Sequence, residues 1–166
     1  MIQSKFTKWA FIVLLTSIGL LFVVTYLIIQ GEAFFSPKTP ILFTIFFILF
    51  FVWMLFILIL GELRTKAILV TIYHDKILKR SFLGIGPKTE FRIDQLTGYR
   101  TSTISSKTGD FEYLYLIDNK KKVIKLSSFY HKNYLVIKSS LLRNRIKNLG
   151  TEYPSLIRET IETFQL

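Results

Sequence analysis

The sequence predicts a membrane-anchored α+β protein, in which a transmembrane helical hairpin precedes an antiparallel β domain closed by a C-terminal helix. The chain of 166 residues is 51% hydrophobic, yet it carries a net charge of +11. A soluble domain rarely combines these two properties. The long apolar stretches end before Gly61, whereas 19 of the 22 Lys and Arg residues follow it. Hydrophobicity and positive charge therefore belong to different segments.

Two uncharged stretches predict the membrane helices, at about residues 9–29 and 41–60. Each lies within 23 consecutive residues that carry no charged side chain. Crossing about 30 Å of hydrocarbon takes about 20 helical residues, so each stretch is long enough. Between residues 41 and 60 the one polar residue is Thr44, which leaves no polar face for water. A buried helix pair and a cleaved signal peptide are the alternatives, and the length of the first stretch favours a retained helix.

The basic residues at the ends of the hairpin predict its orientation. Lys5 and Lys8 precede the first helix, Arg64 and Lys66 follow the second, and Lys38 lies in the connection between them. Positive residues accumulate on the cytoplasmic side of membrane helices. We therefore expect a multi-pass protein of the inner cell membrane, with both termini in the cytoplasm and membrane lipids around both helices.

Residues 62–166 are expected to form the cytoplasmic domain, and residues 1–61 the anchor. Alternating and β-branched segments between about 64 and 127 predict six or seven strands. Short polar segments separate these strands. The predicted tight turns are His74–Asp75 and Asp118–Lys120.

The period of the apolar residues then changes and predicts a capping helix over about 130–149. Ile137 and Leu141 recur at helical spacing, and Gly150 is placed to end the helix. A proline suits the first turn of a short additional helix at about 154–165. An antiparallel sheet or barrel closed by a helix is the expected architecture.

The order of these elements resembles that of the bacterial pleckstrin-homology-like membrane proteins. Two membrane helices lead straight into TIYHDKILKRSFLGIGPKTEFRIDQL, and KLSSFYHKNYLVIKSSL runs from the last strand into the capping helix. The resemblance covers about residues 60–149. It implies a bent β-sandwich or barrel capped by its last helix, and it implies no shared catalytic residues. The second helix after Gly150 departs from the usual pattern of the family.

No residue pattern predicts an enzyme, a cofactor site or a metal site. The chain has no cysteine and two histidines, which excludes thiolate chemistry and argues against most metal sites. Gly84 and Gly86 lack the third glycine of a phosphate-binding loop and indicate a turn. Ser127 near His131 indicates the start of a helix rather than a hydrolytic pair. His74 and His131 are expected at the surface or in a cap.

Clusters of basic residues predict a surface that binds a partner or an anion. The candidates are Lys76, Lys79 and Arg80 on the first hairpin, and Lys120, Lys121 and Lys122 on a later one. A general excess of positive charge beneath an anionic leaflet is the alternative, in which each Lys or Arg contributes about 1 kcal/mol. Nucleic acid is not expected, because no recognised binding motif is present. Trp9, Leu83 and Ile85 are the candidate membrane contacts.

We therefore expect a non-enzymatic binding or scaffold module that acts at the cytoplasmic face through a protein partner or membrane complex. The alternatives are a module that binds anionic lipid headgroups, and a small immunity or inhibitor protein that blocks a membrane-acting toxin or enzyme. The alternation of successive turns between the two ends of the domain favours the protein partner, because it places the first hairpin turn away from the membrane. In an up-and-down meander the turns at 74–75, 94–98 and 118–120 lie far from the membrane, whereas 83–87 and 127–131 lie near it.

Overall fold

Two long helices precede the β domain. The computed structural model describes residues 1–34, 40–106 and 109–153. Helix α1 spans Lys8–Phe34 and α2 spans Ile41–Phe56, and a π-helical segment, Ile57–Leu63, continues α2. Both helices contain 23-residue stretches that are long and apolar enough to cross a membrane, and their most apolar 18-residue windows have mean hydropathies of 2.7 and 3.0. In their most apolar windows 17% and 0% of the residues are buried, unlike the core helices of a soluble protein.

The first sheet contains four antiparallel strands in the order β1–β2–β3–β4. Their bounds are Ile2–Gln3, Leu69–Ile72, Lys76–Arg80 and Lys88–Arg92. The predicted turn at 74–75 joins β2 to β3. Strand β1 precedes α1 and pairs with β2, so Ile2 lies opposite Ile72. The structure thus differs from the expected division at residue 61, because the N-terminal segment adds an edge strand to the β domain.

The second sheet has the order β7–β6–β5–β8. Strands β5 to β8 span Gly98–Ser106, Gly109–Asp118, Lys121–Ser127 and Asn148–Thr151. The predicted turn between β6 and β7 is present, with Asn119 and Lys120 at φ of 45° and 67°. Two consecutive left-handed residues are typical of the tight turn that suits a twisted hairpin. The described residues therefore form two sheets with eight strands in all, against the six or seven expected.

Helix α3 spans Tyr134–Arg143, which is shorter than the predicted helix over 130–149. Arg145 ends it in the left-handed region, with φ of 57°. The amides of Arg145 and Ile146 donate to the carbonyls of Leu142 and Leu141, which closes the last turn. Gly150 does not end the helix. It lies in β8, which runs parallel to β5, and the predicted helix at 154–165 lies outside the described residues.

The core of the β domain lies between the two sheets and α3. Its fully buried side chains include Val70, Ile77, Leu114, Leu116, Ile124, Leu126, Ile137 and Leu141. Alternate residues of each strand point into it, which is the period of two that the sequence shows. The helix closes one side of the core through Ile137 and Leu141, as expected from their helical spacing.

A second apolar cluster joins the β domain to the two long helices. It contains Ala10 of α1, Leu63 at the end of the π-helical segment, Ala67 and Tyr130. Phe82 and Leu83 from the loop after β3 pack against it. We call this end of the β domain the proximal end, and the opposite ends of the same strands the far end.

Candidate functional site: a charged cleft at the far end

Three connections meet at the far end of the β domain. The amide of Ile93 donates to the carbonyl of Asp75 at 3.0 Å, which ties the β4–β5 connection to the β2–β3 turn. The amide of Thr97 donates to the carbonyl of Ile117 at 2.8 Å, which ties the same connection to the start of the β6–β7 turn. The predicted grouping of the turns at 74–75, 94–98 and 118–120 at one end agrees with these contacts.

The outer face of the β3–β4 hairpin carries alternating charges. Lys76 lies opposite Arg92, Leu78 lies opposite Glu90, and Arg80 lies opposite Lys88. Residues two apart in a strand share a face. These charged side chains therefore form one strip, which runs from the proximal end to the far end of the hairpin.

A cleft of about 580 Å³ opens where this strip reaches the far end. Its lining residues are His74, Asp75, Lys76, Glu90, Arg92, Ile93 and Asp94. Six of these seven side chains are ionisable, and three of them are carboxylates. The cleft thus brings ionisable groups of both charges together, unlike the pockets of small organic ligands, in which polar groups are few.

Glu90 is the central carboxylate of the strip. Its Oε1 lies 2.7 Å from Nζ of Lys88, and its Oε2 lies 3.4 Å from Nζ of Lys76. Hydrogen bonds from Lys88 and then Lys76 lower the pKa of Glu90 below its usual range. All three side chains are 38–46% exposed, so water competes for these bonds and they stabilise the fold little.

Arg92 and Asp94 form the second ion pair of the cleft. Nε and Nη2 of Arg92 donate to Oδ1 and Oδ2 of Asp94 at 3.1 and 2.6 Å. These hydrogen bonds lower the pKa of Asp94 and raise the pKa of Arg92. The two side chains remain 69% and 61% exposed, so the guanidinium can exchange this carboxylate for one on a partner. A two-pronged pair also presents a defined geometry to a bound side chain.

The first predicted basic cluster is divided by the sheet. Lys76 and Arg80 lie on the outer strip, with Lys76 in the cleft. Lys79 points to the opposite face, where it is 7% exposed and its Nζ donates to the carbonyl of Val123 at 3.0 Å. The expectation that Lys79 is a binding residue is therefore corrected, because strand alternation directs it inward. Burial, and then the charge of Arg64, lowers the pKa of Lys79 to about 8.

The second predicted cluster is also divided. Lys120 and Lys121 are exposed at the β6–β7 turn, at the far end. Lys122 is half-buried, pairs with Glu152 at 2.9 Å and lies 4.0 Å from the ring centroid of Tyr115. Lys120 and Lys121 thus remain candidates for partner contact, whereas Lys122 contributes to packing on the second sheet.

The candidate membrane contacts all lie at the proximal end. Trp9, at the start of α1, is 45% exposed and stacks on Phe129 with ring centroids 5.4 Å apart. Leu83 packs against the apolar cluster that joins the domain to the helices. Ile85 is 85% exposed.

His131 is not a surface or cap residue. It is 1% exposed, with Nε2 2.9 Å from the carbonyl oxygen of Ile68 and Nδ1 2.9 Å from the carbonyl oxygen and 3.3 Å from the amide nitrogen of Ser127. Nε2 as a donor satisfies the carbonyl of Ile68, and Nδ1 lies within hydrogen-bond distance of both backbone groups of Ser127. Burial lowers the pKa of His131 below its usual value. The histidine therefore joins the chain before β2 to the corner after β7.

The acidic residues of the cleft are the part that sequence reasoning missed. Asp75, Glu90 and Asp94 were not among the candidates, although Lys88, Glu90 and Arg92 alternate in the sequence with a period of two. That alternation is the signal that could have found the strip. Their meeting in one cleft depends on the pairing of β3 with β4, which the sequence pattern alone does not specify.

Comparisons with known proteins return no match from protein-family models, curated proteins or solved structures. Within the described ranges, no three His, Cys, Asp or Glu residues are grouped so that they could hold a metal ion. The candidate site is therefore defined by its own geometry, as an exposed cleft with paired charges at the end of the β domain opposite the helices.

Proposed function

We propose that this protein is a non-enzymatic binding module of the inner membrane, in which α1 and α2 anchor a β domain that holds a protein partner at its far end. The observation that carries the proposal is the charged cleft. Its carboxylates and cations lie side by side, as in a surface that recognises the charged side chains of another protein. The cleft also lies at the end of the domain remote from the helices.

The two-sheet fold closed by α3 supports a pleckstrin-homology-like architecture. In the first sheet β2, β3 and β4 follow one another as a meander, and β5, β6 and β7 do so in the second. The chain then enters α3, which packs on the core. Within this proposal β1 and β8 are additions at the sheet edges.

The pairing of β1 with β2 supports a hairpin with both ends on one side of the membrane. Residues on either side of α1 and α2 are hydrogen-bonded neighbours in one sheet. The chain between them must then cross the bilayer an even number of times. The basic residues Lys5, Lys8 and Arg64 at these ends favour the cytoplasmic side.

The distribution of charge favours a protein over an anionic lipid as the ligand of the far end. Asp75, Glu90 and Asp94 would repel a phosphate that approached Lys76 or Arg92. With the helices in the bilayer, the far end also points away from the headgroups. A protein surface can instead present both signs of charge to the cleft.

The test is partner capture from native membranes with the full-length chain. Arg92→Glu removes the guanidinium from the cleft, whereas Arg143→Glu makes the same change of charge at the exposed end of α3. We expect capture of a discrete protein partner to fall at least about fivefold with the first variant, which corresponds to roughly 1 kcal/mol. The second variant should retain the partner. Equal capture by both variants contradicts the proposed site.

A double variant distinguishes a protein ligand of the far end from a lipid ligand. Lys120→Glu combined with Lys121→Glu reverses two exposed charges at the far end. In the full-length protein reconstituted into vesicles, this change should weaken partner capture and leave the association of the β domain with anionic lipid unchanged. Loss of lipid association with unchanged partner capture would reverse the assignment.

A further inference from the structure

We infer that the proximal end of the β domain docks on the bilayer itself, with Ile85 placed among the lipid headgroups. The inference rests on the proposed anchorage by α1 and α2, but not on the far-end cleft. The docking surface consists of the turn at 82–86, Trp9 and the three lysines Lys5, Lys8 and Lys132.

The position of Ile85 follows from the contacts of its turn. The amide of Leu83 donates to the carbonyl of Ala67 at 2.7 Å, and Ala67 lies four residues after the end of the π-helical segment at Leu63. The turn at 82–86 is therefore held beside the point where the second long helix ends. Ile85 is 85% exposed at this level, and transfer of such a large apolar side chain from water into the membrane interface is favourable.

The backbone of this turn is held in an unfavourable conformation. Phe82, Leu83 and Gly84 have φ of 53°, 57° and 95°. Residues other than glycine rarely adopt the left-handed region, because their Cβ crowds the following carbonyl oxygen. The packing of Phe82 and Leu83 against the apolar cluster at the proximal end stabilises the turn. The result is a rigid support that holds Ile85 outward, and strain of this kind is concentrated at functional positions.

An aromatic pair lies at the same level of the molecule. Trp9 stands one residue into α1 and stacks on Phe129 of the corner after β7. Tryptophan is enriched where a membrane helix meets the headgroups, because its ring is apolar and its N–H is polar. The stack therefore places the corner of the β domain at the interface together with the helix.

The exposed charges of the docking surface are positive. Lys5, Lys8 and Lys132 are exposed, and the amide of Lys132 donates to the carbonyl of Lys5 at 2.8 Å. Among the acids of this end, Glu62 and Glu112 are each paired with a lysine at 2.6 Å, whereas Asp110 is exposed. Lysines close to an anionic leaflet favour association with it. This charge distribution fits an anionic bilayer, in contrast to the mixed charge of the far end.

The test uses Ile85→Cys in the full-length chain, labelled with a polarity-sensitive fluorophore and reconstituted into phosphatidylcholine–phosphatidylglycerol vesicles. We expect blue-shifted emission, which nitroxide lipids labelled near the headgroup quench strongly and aqueous iodide quenches weakly. Lys120→Cys is the matched control at the far end and should show the reverse pattern. Solvent-like emission at position 85, with the same quenching as at position 120, overturns the inference.

Two further measurements distinguish a failure of the docking surface from a failure of the proposed anchorage by α1 and α2. Phe46→Cys in α2 should be quenched by nitroxides placed deep in the acyl chains. If position 46 is in lipid and position 85 is in water, the anchorage stands and the docking surface is rejected. In native membranes, a photo-crosslinker at position 85 should label lipid in the wild-type background. A protein adduct there in place of lipid would also overturn the inference.

Discussion

The hydroxyl of Tyr130 donates a 2.6 Å hydrogen bond to Oε2 of Glu62, and so joins the corner after β7 to the π-helical end of the second long helix. Oε1 of the same carboxylate accepts from Nζ of Lys66 at 2.6 Å. Burial, and then the charge of Glu62, raises the pKa of the Tyr130 hydroxyl, so it stays protonated as the donor. A single carboxylate thus connects the helix, the chain that follows it and the β domain.

Removing this hydroxyl should loosen the attachment of the β domain. Tyr130→Phe keeps the ring in the apolar cluster at the proximal end and deletes the hydrogen bond to Glu62. We expect this to lower the free energy of unfolding by about 1.5–3 kcal/mol, because the acceptor is charged. The measurement is chemical unfolding of the purified full-length protein. Glu62→Gln and the double variant complete a cycle in which the two losses should not add. Additive losses would show that the two side chains do not interact.

The N-terminal segment should stabilise the β domain although α1 and α2 separate it from the rest in sequence. The amide of Ser4 donates to the carbonyl of Val70 at 2.8 Å, and Nδ2 of Asn133 donates to the carbonyl of Gln3 at 2.8 Å. A fragment of residues 62–166 lacks these bonds. We expect it to unfold with a free energy about 2–4 kcal/mol lower than a fusion that joins residues 1–7 to it through a Gly/Ser linker.

Equal midpoints for the fragment and the fusion in urea would contradict this prediction. A fusion in which Ile2 and Ser4 are replaced by Pro is the matched control. It has the same length but cannot form the β1–β2 ladder.

Stability should depend on pH through His131. Because the pKa of the buried ring is lowered from its usual value of 6.5, the unfolded state binds the proton more readily. Stability is therefore lost as the pH falls below about 6.5, by up to about 1.4 kcal/mol per pH unit until the folded-state pKa is passed. In His131→Phe, the free energy of unfolding measured between pH 7.5 and 5 should no longer show this slope. His74→Gln, at the exposed turn, should keep it.

Lys79 should produce a pH dependence of the same sign at high pH. Its pKa is lowered from 10.5 to about 8, so the unfolded state binds more protons between these values. Stability should rise as the pH increases from 8 to 10.5, by roughly 3 kcal/mol at most. Lys79→Met should abolish the rise and increase stability at pH 7, since no charge is then buried. Lys120→Met at the exposed β6–β7 turn should leave the rise unchanged.

Gly98 should tolerate no side chain, because β8 passes directly over it. A Cβ at this position would lie 2.5 Å from the carbonyl oxygen of Lys147 and 2.7 Å from Cγ of Leu149. Gly98→Ala should therefore displace β8 and lower the free energy of unfolding by about 1–3 kcal/mol. Thr97→Ala, at the neighbouring exposed residue, should have a small effect. If both variants unfold alike, the close approach of β8 to β5 is contradicted.

The features that the sequence predicted well are those set by local pattern. The two apolar stretches, the alternation in β3 and β4, and the turns at 74–75 and 118–120 all follow from the identity of adjacent residues. The helical spacing of Ile137 and Leu141 likewise predicted the face of α3 that closes the core. None of these needs knowledge of a distant partner.

The features that were missed depend on pairing between distant segments. Strand β1 has two residues and no detectable period, and it forms because β2 offers a free edge. The first half of strand β8 fell within the predicted helix over 130–149, yet the helix ends earlier, and the side chain of Ile146 turns into the core after the left-handed Arg145. His131 was predicted at the surface or in a cap, because its contact with Ile68, which lies 63 residues earlier in the chain, cannot be read from local spacing.

Part of the charged cleft could be predicted from the local alternation of residues along a strand. Successive residues of a strand point to opposite faces, so Lys79 lies on the face opposite to Lys76 and Arg80. The inward direction of Lys79 follows from this alternation. The placement of Asp75 and Asp94 in one cleft requires the register of β3 and β4, which pairs Lys76 with Arg92. Sequence spacing does not provide that register, and the acidic half of the site was therefore overlooked.

The pairing of β1 with β2 also sets an order for biosynthesis. Residues 2 and 3 leave the ribosome before their partners at 71 and 72, which follow only after both long helices have been made. The first sheet therefore cannot be completed until α1 and α2 have been synthesised. The first strand waits unpaired until then, so a bulky insertion before residue 2 should slow maturation of the β domain more than the same insertion after residue 153.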